Sequence, residues 1–183
     1  MSVNPYFEQV KTDSDIYDLS HLNPFNFEFK SNLAKKTLRV HVVFTNHCFT
    51  TSDIKDSSNH DFPLFHQKDR KPRIFCPVRY RLSKDLPQLI HNLNNEKAKV
   101  KEAKSRRNWG YSVEIEDPNG PYHIFFEVRK TVGEKKKYHD IKITIESAYH
   151  EDPTKTKPEF IGRVGFQLLC SKVYLKKPLS TKR

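Results

Sequence analysis

Apolar residues with the spacing of a helix face mark the stretch from residue 83 to residue 95. The pattern i, i+3, i+4, i+7, typical of one face of a helix, is filled by Leu86, Leu89, Ile90 and Leu93. Ser83 is a good N-cap residue, and Pro87 is tolerated only in a first turn. We therefore predict one main amphipathic helix that begins near Ser83 and ends between Asn92 and Asn95. Its apolar face requires a sheet to cover it.

Alternation of apolar and polar residues elsewhere predicts about six strands. A period of two places successive side chains on opposite faces, as in a half-buried strand. The turn residues at 117–120 join two of these segments into a hairpin. Because no β-α-β alternation suggests a parallel sheet, we predict an α+β fold, with a mostly antiparallel sheet and the one helix packed on it. The alternating segments are residues 25–30, 38–45, 111–116, 122–129, 141–149 and 164–168, the last continued by Val173 and Leu175.

The chain has the length of a single domain. Its 183 residues are enough for one sizeable core, though not comfortably for two. We predict an irregular N-terminal arm over residues 1–24, a single α+β domain over residues 25–175, and a basic tail over residues 176–183. Residues 46–71 lose all periodicity and gather polar side chains, which predicts a long loop. Long loops inside compact domains are often functional.

The charge of the chain indicates a polyanionic partner. The formal net charge is +11, and residues 1–30 carry −3 because two lysines face five carboxylates, so the remainder carries +14. A field of this sign attracts nucleic acid. We expect a nucleic-acid partner, RNA more than DNA, with an acidic protein as the alternative partner. The most basic stretch supplies the candidate nucleic-acid contacts Lys97, Lys99, Lys101, Lys104, Arg106 and Arg107.

No segment predicts a membrane span or a cofactor site. No apolar run approaches about 20 residues, and the N-terminus lacks a signal-peptide pattern, so we expect a cytoplasmic protein with no membrane partner. The sequence contains no Gly-x-Gly-x-x-Gly and no Walker loop, and with five glycines a nucleotide-cradling loop is not expected. We expect no cofactor. The three cysteines are odd in number and predict reduced, mostly buried thiols.

Several histidines and cysteines fall close together in the sequence, as the ligands of a zinc site would. A structural zinc site usually has paired ligands such as Cys-x-x-Cys, and adjacent His and Cys residues do not easily reach one metal. We therefore expect no metal site. The residues concerned are His47, Cys48, His60, His66 and Cys76.

Four polar residues at the ends of predicted elements form a candidate catalytic site. Metal-independent RNA cleavage needs a base, an acid and cations for the phosphate. His47 and Tyr149 lie at strand ends, and Arg73 and Arg79 precede the helix. If these ends meet, His47 is the general base or acid, Tyr149 is its proton partner, and the arginines hold the phosphate. The alternative stays open: Tyr149 caps the core, His47 bonds a backbone carbonyl, and the arginines only bind phosphate.

These observations predict a basic nucleic-acid-binding protein that is also a candidate metal-independent, toxin-like ribonuclease. A small basic α+β layout is shared by the barnase, colicin and RelE-like ribonucleases, which is an analogy at the level of the fold. The alternative is a non-enzymatic interaction protein of a prophage or mobile element that binds an acidic host protein. Whether the protein is an enzyme stays open.

Three sequence motifs resemble those of a known family. FTNHCFT, RIFCPVRYRLSKDLPQLI and IESAY together are similar to a family of small, largely uncharacterised proteins scattered through bacterial genomes and prophages. The resemblance covers roughly residues 38–150. It implies a bacterial or mobile-element origin and carries over no catalytic residue.

Overall fold

Three sheets and three helices make up the part of the chain that the structure describes. The structure is a computed structural model, and it describes residues 5–52, 64–65, 72–104 and 108–181. The strands are, in chain order, β1 (Val10–Lys11), β2 (Ile16–Tyr17), β3 (Phe25–Ser31), β4 (Lys36–Phe44), β5 (Thr50–Thr51), β6 (Leu64–Phe65), β7 (Arg73–Phe75), β8 (Lys99–Ala103), β9 (Trp109–Glu116), β10 (Asn119–Lys130), β11 (Ile141–His150) and β12 (Phe160–Gly165). The helices are α1 (Pro77–Ser83), α2 (Leu86–Asn92) and α3 (Phe166–Leu175).

A seven-stranded sheet with the order β12-β8-β9-β10-β11-β4-β3 forms the main layer. Its pairs are antiparallel except one, because β11 runs parallel to β4. The predicted α+β domain with a mostly antiparallel sheet is confirmed, while six strands and one main helix are only roughly right. The parallel pair was not predicted because strands so far apart in the sequence leave no local signal of their pairing.

The small sheet β5-β7-β6 occupies part of the region predicted as a long loop. A 3-10 turn at Asn46–Cys48 comes first, and β5 and β6 then pair antiparallel with β7. The prediction of one loop over residues 46–71 therefore needs correction in its described portions. Residues 53–63 and 66–71, with His60 and His66 among them, lie outside the described residues.

The predicted main helix is present as α2, but it begins at Leu86 and a separate helix, α1, precedes it. Pro77 lies in the first turn of α1, where its missing N–H is not needed. Arg79 is therefore helical. In α2 Ile90 is fully buried and Leu89 is partly buried.

The predicted strand at residues 164–168, continued by Val173 and Leu175, is wrong beyond Gly165. Gly165 has an extended backbone and is the N-cap of α3. The residues that α3 buries follow helical spacing, since Phe166, Leu169 and Cys170 are each 0% exposed. The apparent alternation of the sequence here crosses the boundary between β12 and α3.

The core lies between the seven-stranded sheet and the helices α2 and α3. Alternate residues of β4, β10 and β11 face it, and the Phe126 and Phe166 rings meet there with centroids 6.3 Å apart. The opposite face of β9, β10 and β11, here called the outer face, carries the intervening side chains, several of them polar or aromatic. These include Ser112, His123, Phe125, Ser147 and Tyr149, which lie in register across the three strands.

The N-terminal segment contacts the domain. It contains the ribbon β1-β2 and a 3-10 turn at Ser20–Leu22, and it buries Leu19 and Leu22. No described helix has both the length and the apolar character needed to cross a bilayer.

Candidate anion-binding site

Arg79 connects the predicted site residues His47 and Tyr149. Its Nη1 donates a hydrogen bond of 3.1 Å to the backbone carbonyl of His47. Its guanidinium carbon lies 5.4 Å from the centre of the Tyr149 ring, which is a cation–π contact. α1 contacts both the end of β11 and the 3-10 turn that holds His47. The sequence could not show whether the end of β4, which His47 follows, lies near the end of β11, where Tyr149 lies. In the structure both contact Arg79.

Arg73 is the fourth predicted site residue, and it is fixed by Thr50. Its Nε donates to Thr50 Oγ1 at 2.7 Å, and its Nη2 donates to the Thr50 carbonyl oxygen at 2.6 Å. Burial lowers the pKa of Arg73 to about 10, and the positive charge of Arg79 contributes. Burial also lowers the pKa of Arg79. With a pKa near 10, Arg73 still carries its proton at neutral pH.

Neither arginine forms an ion pair with a carboxylate of the described residues. Both guanidinium groups are partly buried, and within the described part of the chain each is hydrogen-bonded to neutral oxygen atoms only. A charge removed from water is normally paired. Two neighbouring arginines without such a partner create a region of positive potential that favours an anion.

Three neutral groups lie near the two arginines, together with the carboxylate of Glu146, whose charge raises the pKa of the Cys48 thiol. The Tyr122 hydroxyl is buried and has no hydrogen-bond partner among the described residues, and burial raises its pKa strongly. Burial raises the pKa of the Cys48 thiol to about 12, and burial likewise raises the pKa of Tyr149 although Arg79 opposes the shift. All three groups keep their protons at neutral pH, so none of them neutralises the arginines.

His47 reaches this site through its main chain. It lies in the 3-10 turn after β4, where the Thr45 side chain accepts a hydrogen bond from its backbone N–H. The contact with Arg79 is made by the His47 carbonyl rather than by the imidazole. The structure thus brings the four predicted residues into one neighbourhood, and their catalytic roles stay a prediction.

The described residues among the predicted nucleic-acid contacts lie on β8 or directly beside its ends. Lys99 and Lys101 lie on β8, Lys97 precedes it, and Lys104 follows it and pairs with Glu159. The four lysines are exposed. The remaining two predicted contacts, Arg106 and Arg107, lie outside the described residues.

A row of three parallel rings, here called the ring row, extends along the outer face between β8 and the arginine site. The Phe160 and Phe125 centroids are 6.1 Å apart at an angle of 7°, and those of Phe125 and Tyr149 are 5.6 Å apart at 18°. Lys101 Nζ lies 5.1 Å from the Phe160 ring at one end, and Arg79 covers Tyr149 at the other. The ring row therefore joins two positively charged groups.

A hydrogen-bonded group of Ser112, His123 and Glu151 was missed by the sequence analysis. It lies beside the ring row, with the His123 and Tyr149 centroids 6.0 Å apart. The signal that could have found it is the hairpin register. The loop of the hairpin is residues 117–118, and this register places His123 opposite Ser112. A turn centred on Asn-Gly at 119–120 would give a different register, in which His123 is not opposite Ser112.

A cavity of about 600 Å³ elsewhere on the sheet also lacks a carboxylate in its lining. The His41 and His139 rings stack there with centroids 4.7 Å apart. Burial lowers the pKa of both histidines, and the positive charges of Lys135 and Lys142 lower it further. The local potential is again positive. The cavity is lined by Tyr6, Pro24, Asn26, His41, Val43, Lys135, Tyr138, His139 and Lys142.

Among the described residues, no three His, Cys, Asp or Glu side chains are grouped closely enough to hold a metal ion. Two of the residues weighed as zinc ligands, His60 and His66, fall outside that part of the chain.

Comparison with known proteins gives one match. A family model described as the YjaZ family matches residues 9–174. No curated protein matches the chain, and no solved structure does.

Proposed function

The chain belongs to the YjaZ family, and because this name states no activity, we propose a function from the site itself: the protein binds nucleic acid, RNA in preference to DNA. The observation that carries the proposal is the pair Arg73 and Arg79, two partly buried guanidinium groups with no carboxylate partner among the described residues. A backbone phosphate is the anion that we propose they hold.

The unused donors of the two arginines support a phosphate ligand. A guanidinium has five N–H donors, of which Arg73 uses two N–H groups on Thr50 and Arg79 uses one on His47. Phosphate oxygens accept such donors in pairs, and Arg is suited to this geometry. The Tyr122 hydroxyl, which is buried and has no partner among the described residues, lies within electrostatic range of Arg79.

The outer face supports a polymeric ligand rather than a single phosphate. Positive charge continues from Arg79, across the ring row, to Lys101 and Lys99 on β8. The rings contact one another and the two end cations, so their faces are only partly open to bases. We therefore expect binding that depends on the backbone and varies little with sequence.

Metal-independent RNA cleavage is an extension of this proposal. His47 would act as general base or acid and Tyr149 as its proton partner, while Arg73 and Arg79 would stabilise the charge of the phosphate. Support comes from Arg79, which contacts both residues, and from burial that raises the pKa of Tyr149 and keeps its hydroxyl a proton donor. We also propose a bacterial or mobile-element origin, as the three sequence motifs imply.

The test of binding compares Arg79→Gln with Arg81→Gln. Arg81 also lies in α1, but it is exposed and pairs with Asp117. Fluorescence anisotropy with a short labelled single-stranded RNA should show a Kd about 10- to 100-fold weaker for Arg79→Gln, since hydrogen bonds to a charged group contribute about 1.5–3 kcal/mol. Arg81→Gln should stay near wild type. Equal effects of the two substitutions would contradict a phosphate held at Arg79.

The rival is a protein that binds an acidic host protein with the same surface. The two proposals are distinguished in the same anisotropy assay, with polyglutamate added as a competitor of the labelled RNA. Affinity for polyglutamate with no detectable RNA binding at low salt would favour the rival.

Cleavage is tested with mixed RNA in excess EDTA. His47→Ala and Tyr149→Phe should each lower the rate by about 10²- to 10⁴-fold if they transfer protons. Activity that EDTA abolishes would argue for a metal. No cleavage by wild type would reject the extension and leave the binding proposal standing.

A further inference from the structure

Ser112, His123 and Glu151 form a continuous hydrogen-bonded chain on the outer face. Ser112 Oγ lies 2.8 Å from Nδ1 of His123, and Nε2 of His123 lies 2.9 Å from Oε2 of Glu151. His123 is 5% exposed, while Ser112 on β9 is partly exposed. A serine within reach of solvent is thus linked through a buried imidazole to a carboxylate.

The carboxylate fixes the direction of these hydrogen bonds. Hydrogen bonds from Lys157 and His123 lower the pKa of Glu151, and the other oxygen of Glu151 lies 2.8 Å from Lys157 Nζ. An ionised carboxylate only accepts, so Nε2 of His123 carries the proton. In the neutral imidazole the lone pair is then on Nδ1, and Ser112 donates to it. This is the arrangement that activates a serine hydroxyl as a nucleophile.

Aromatic rings enclose the imidazole. The centroids of Tyr149, Phe125 and Phe160 lie 6.0, 6.2 and 6.4 Å from that of His123. Gly110, two residues before Ser112, makes room for Phe160, since a Cβ at Gly110 would approach Cε1 of Phe160 to 2.3 Å. The hydrogen bonds of His123 are therefore formed in an apolar surrounding, where electrostatic interactions are stronger than in water.

We propose that Ser112 is the nucleophile of an acyl-transfer centre that hydrolyses carboxylic esters with apolar acyl groups. Ser112 Oγ bonds to the carbonyl carbon as its proton passes to Nδ1 of His123, and Glu151 stabilises the imidazolium. The intermediate expels the alcohol, which takes that proton, and the acyl group stays on Ser112. Water then attacks the acyl carbon and gives its proton to His123. Release of the carboxylic acid returns a proton to Ser112 Oγ.

Two features of this centre are its own. In the usual serine triad the acid binds Nδ1 of the histidine and the serine binds Nε2. Here Ser112 binds Nδ1 and Glu151 binds Nε2. The imidazole still accepts one proton from the serine and later gives it up. Positive charge for the developing oxyanion is available on the same side of the sheet from Lys101, which covers the Phe160 ring. The centre uses neither Arg73 nor Arg79, although it shares Lys101 with the proposed nucleic-acid surface, and its chemistry needs no bound nucleic acid.

The test is covalent labelling of the full chain with an uncharged fluorophosphonate, followed by intact mass measurement. Wild type should gain one phosphonyl group per chain with loss of fluoride, and Ser112→Ala should gain none. Ser147→Ala is the matched control, because Ser147 is partly exposed on the same face and no histidine bonds to it in the described structure. It should label as wild type does.

Glu151 is a positioning residue in this scheme, and Lys157 provides its control. Glu151→Gln should slow labelling about 10²-fold or more at an unchanged thermal midpoint, because the amide no longer holds the proton on Nε2. Lys157→Met also removes the ion pair between Lys157 and Glu151 but keeps the hydrogen bond between Glu151 and His123. This variant should therefore be labelled at nearly the wild-type rate. p-Nitrophenyl butyrate should give one equivalent of p-nitrophenolate in a burst with wild type and none with Ser112→Ala.

Three outcomes would overturn the inference. They are no adduct on wild type, an adduct that persists on Ser112→Ala, and equal labelling rates for Glu151→Gln and wild type. Each can occur whether or not the protein binds RNA, so this test and that of the arginine site fail separately.

Discussion

Asp140 is a buried carboxylate that forms ion pairs with two cationic side chains, Lys36 and Arg39. Its side chain is 8% exposed and accepts hydrogen bonds from Lys36 and from both the backbone N–H and the side chain of Arg39. Burial alone would raise the pKa of this carboxyl. The hydrogen bonds outweigh burial and lower the pKa to about 2. Asp140, which precedes β11, is thereby held by ion pairs and a backbone hydrogen bond to β4.

Asp140→Asn should lower the free energy of unfolding at pH 7 by about 2 kcal/mol. A carboxyl with a folded-state pKa below its unfolded value of about 3.9 stabilises the protein above that value, and the contribution is lost as the pH falls toward 2. The difference between wild type and Asp140→Asn should therefore shrink in urea titrations between pH 5 and pH 2.5. Asp117→Asn is the control, because Asp117 forms an exposed pair with Arg81 and should have little effect. A difference that grows on acidification would contradict this account.

Residue types at element ends identified part of the candidate site from sequence. Arg73, Arg79 and Tyr149 were selected because each stands beside an irregular segment, and Arg79 does contact Tyr149. The partner atoms were not predictable, since Arg79 bonds the carbonyl of His47 and not its ring. Tyr122 was also missed, because its position in the alternation is a core position and the sequence gives no sign that its hydroxyl lacks a partner.

Among the elements, α2 contains two neighbouring apolar residues that should contribute differently to the stability of the protein. Ile90 is 0% exposed, while Leu89 is only partly buried against the core. Ile90→Ala should lower the free energy of unfolding by about 2–5 kcal/mol, because truncation leaves a cavity as well as removing apolar contact. Leu89→Ala should cause a clearly smaller loss. Chemical denaturation of the two variants measures both, and a larger effect at Leu89 would mean that the buried face of the helix is wrongly assigned.

The strength of the periodic signal decided which elements could be predicted. β3, β4, β9 and β10 alternate over enough residues to show a period of two, and their pairing is local. α3 was mistaken for a strand because Val164, Phe166 and Leu168 give three alternating positions across its start. α1 was missed because its seven residues are too few to establish a helical period.

At the scale of the whole molecule, the outer face predicts how binding should depend on salt. Each lysine that contacts a phosphate of single-stranded nucleic acid contributes about 0.7 to the slope of log K against log salt. The double substitution Lys99→Ala and Lys101→Ala should lower that slope by about 1.4. Lys104→Ala should change it less, because Lys104 already pairs with Glu159. Lys30→Ala is the control, since β3 is the far edge of the sheet. A slope unchanged by the double substitution would contradict contacts at β8.

The order of the strands also bears on how the protein is made. β4 is an early element of the chain, yet its parallel partner β11 is far along it, with Arg39 and Asp140 separated by 101 positions. At about 5–20 residues per second, a ribosome needs roughly 5–20 s between completing the two strands. For that interval the valine-rich edge of β4 has no strand to pair with, and an open edge of this kind readily joins other chains. Nascent or truncated chains that end before β11 should therefore depend on chaperones and aggregate without them, and refolding of the full chain should be slow because its contacts are distant in sequence.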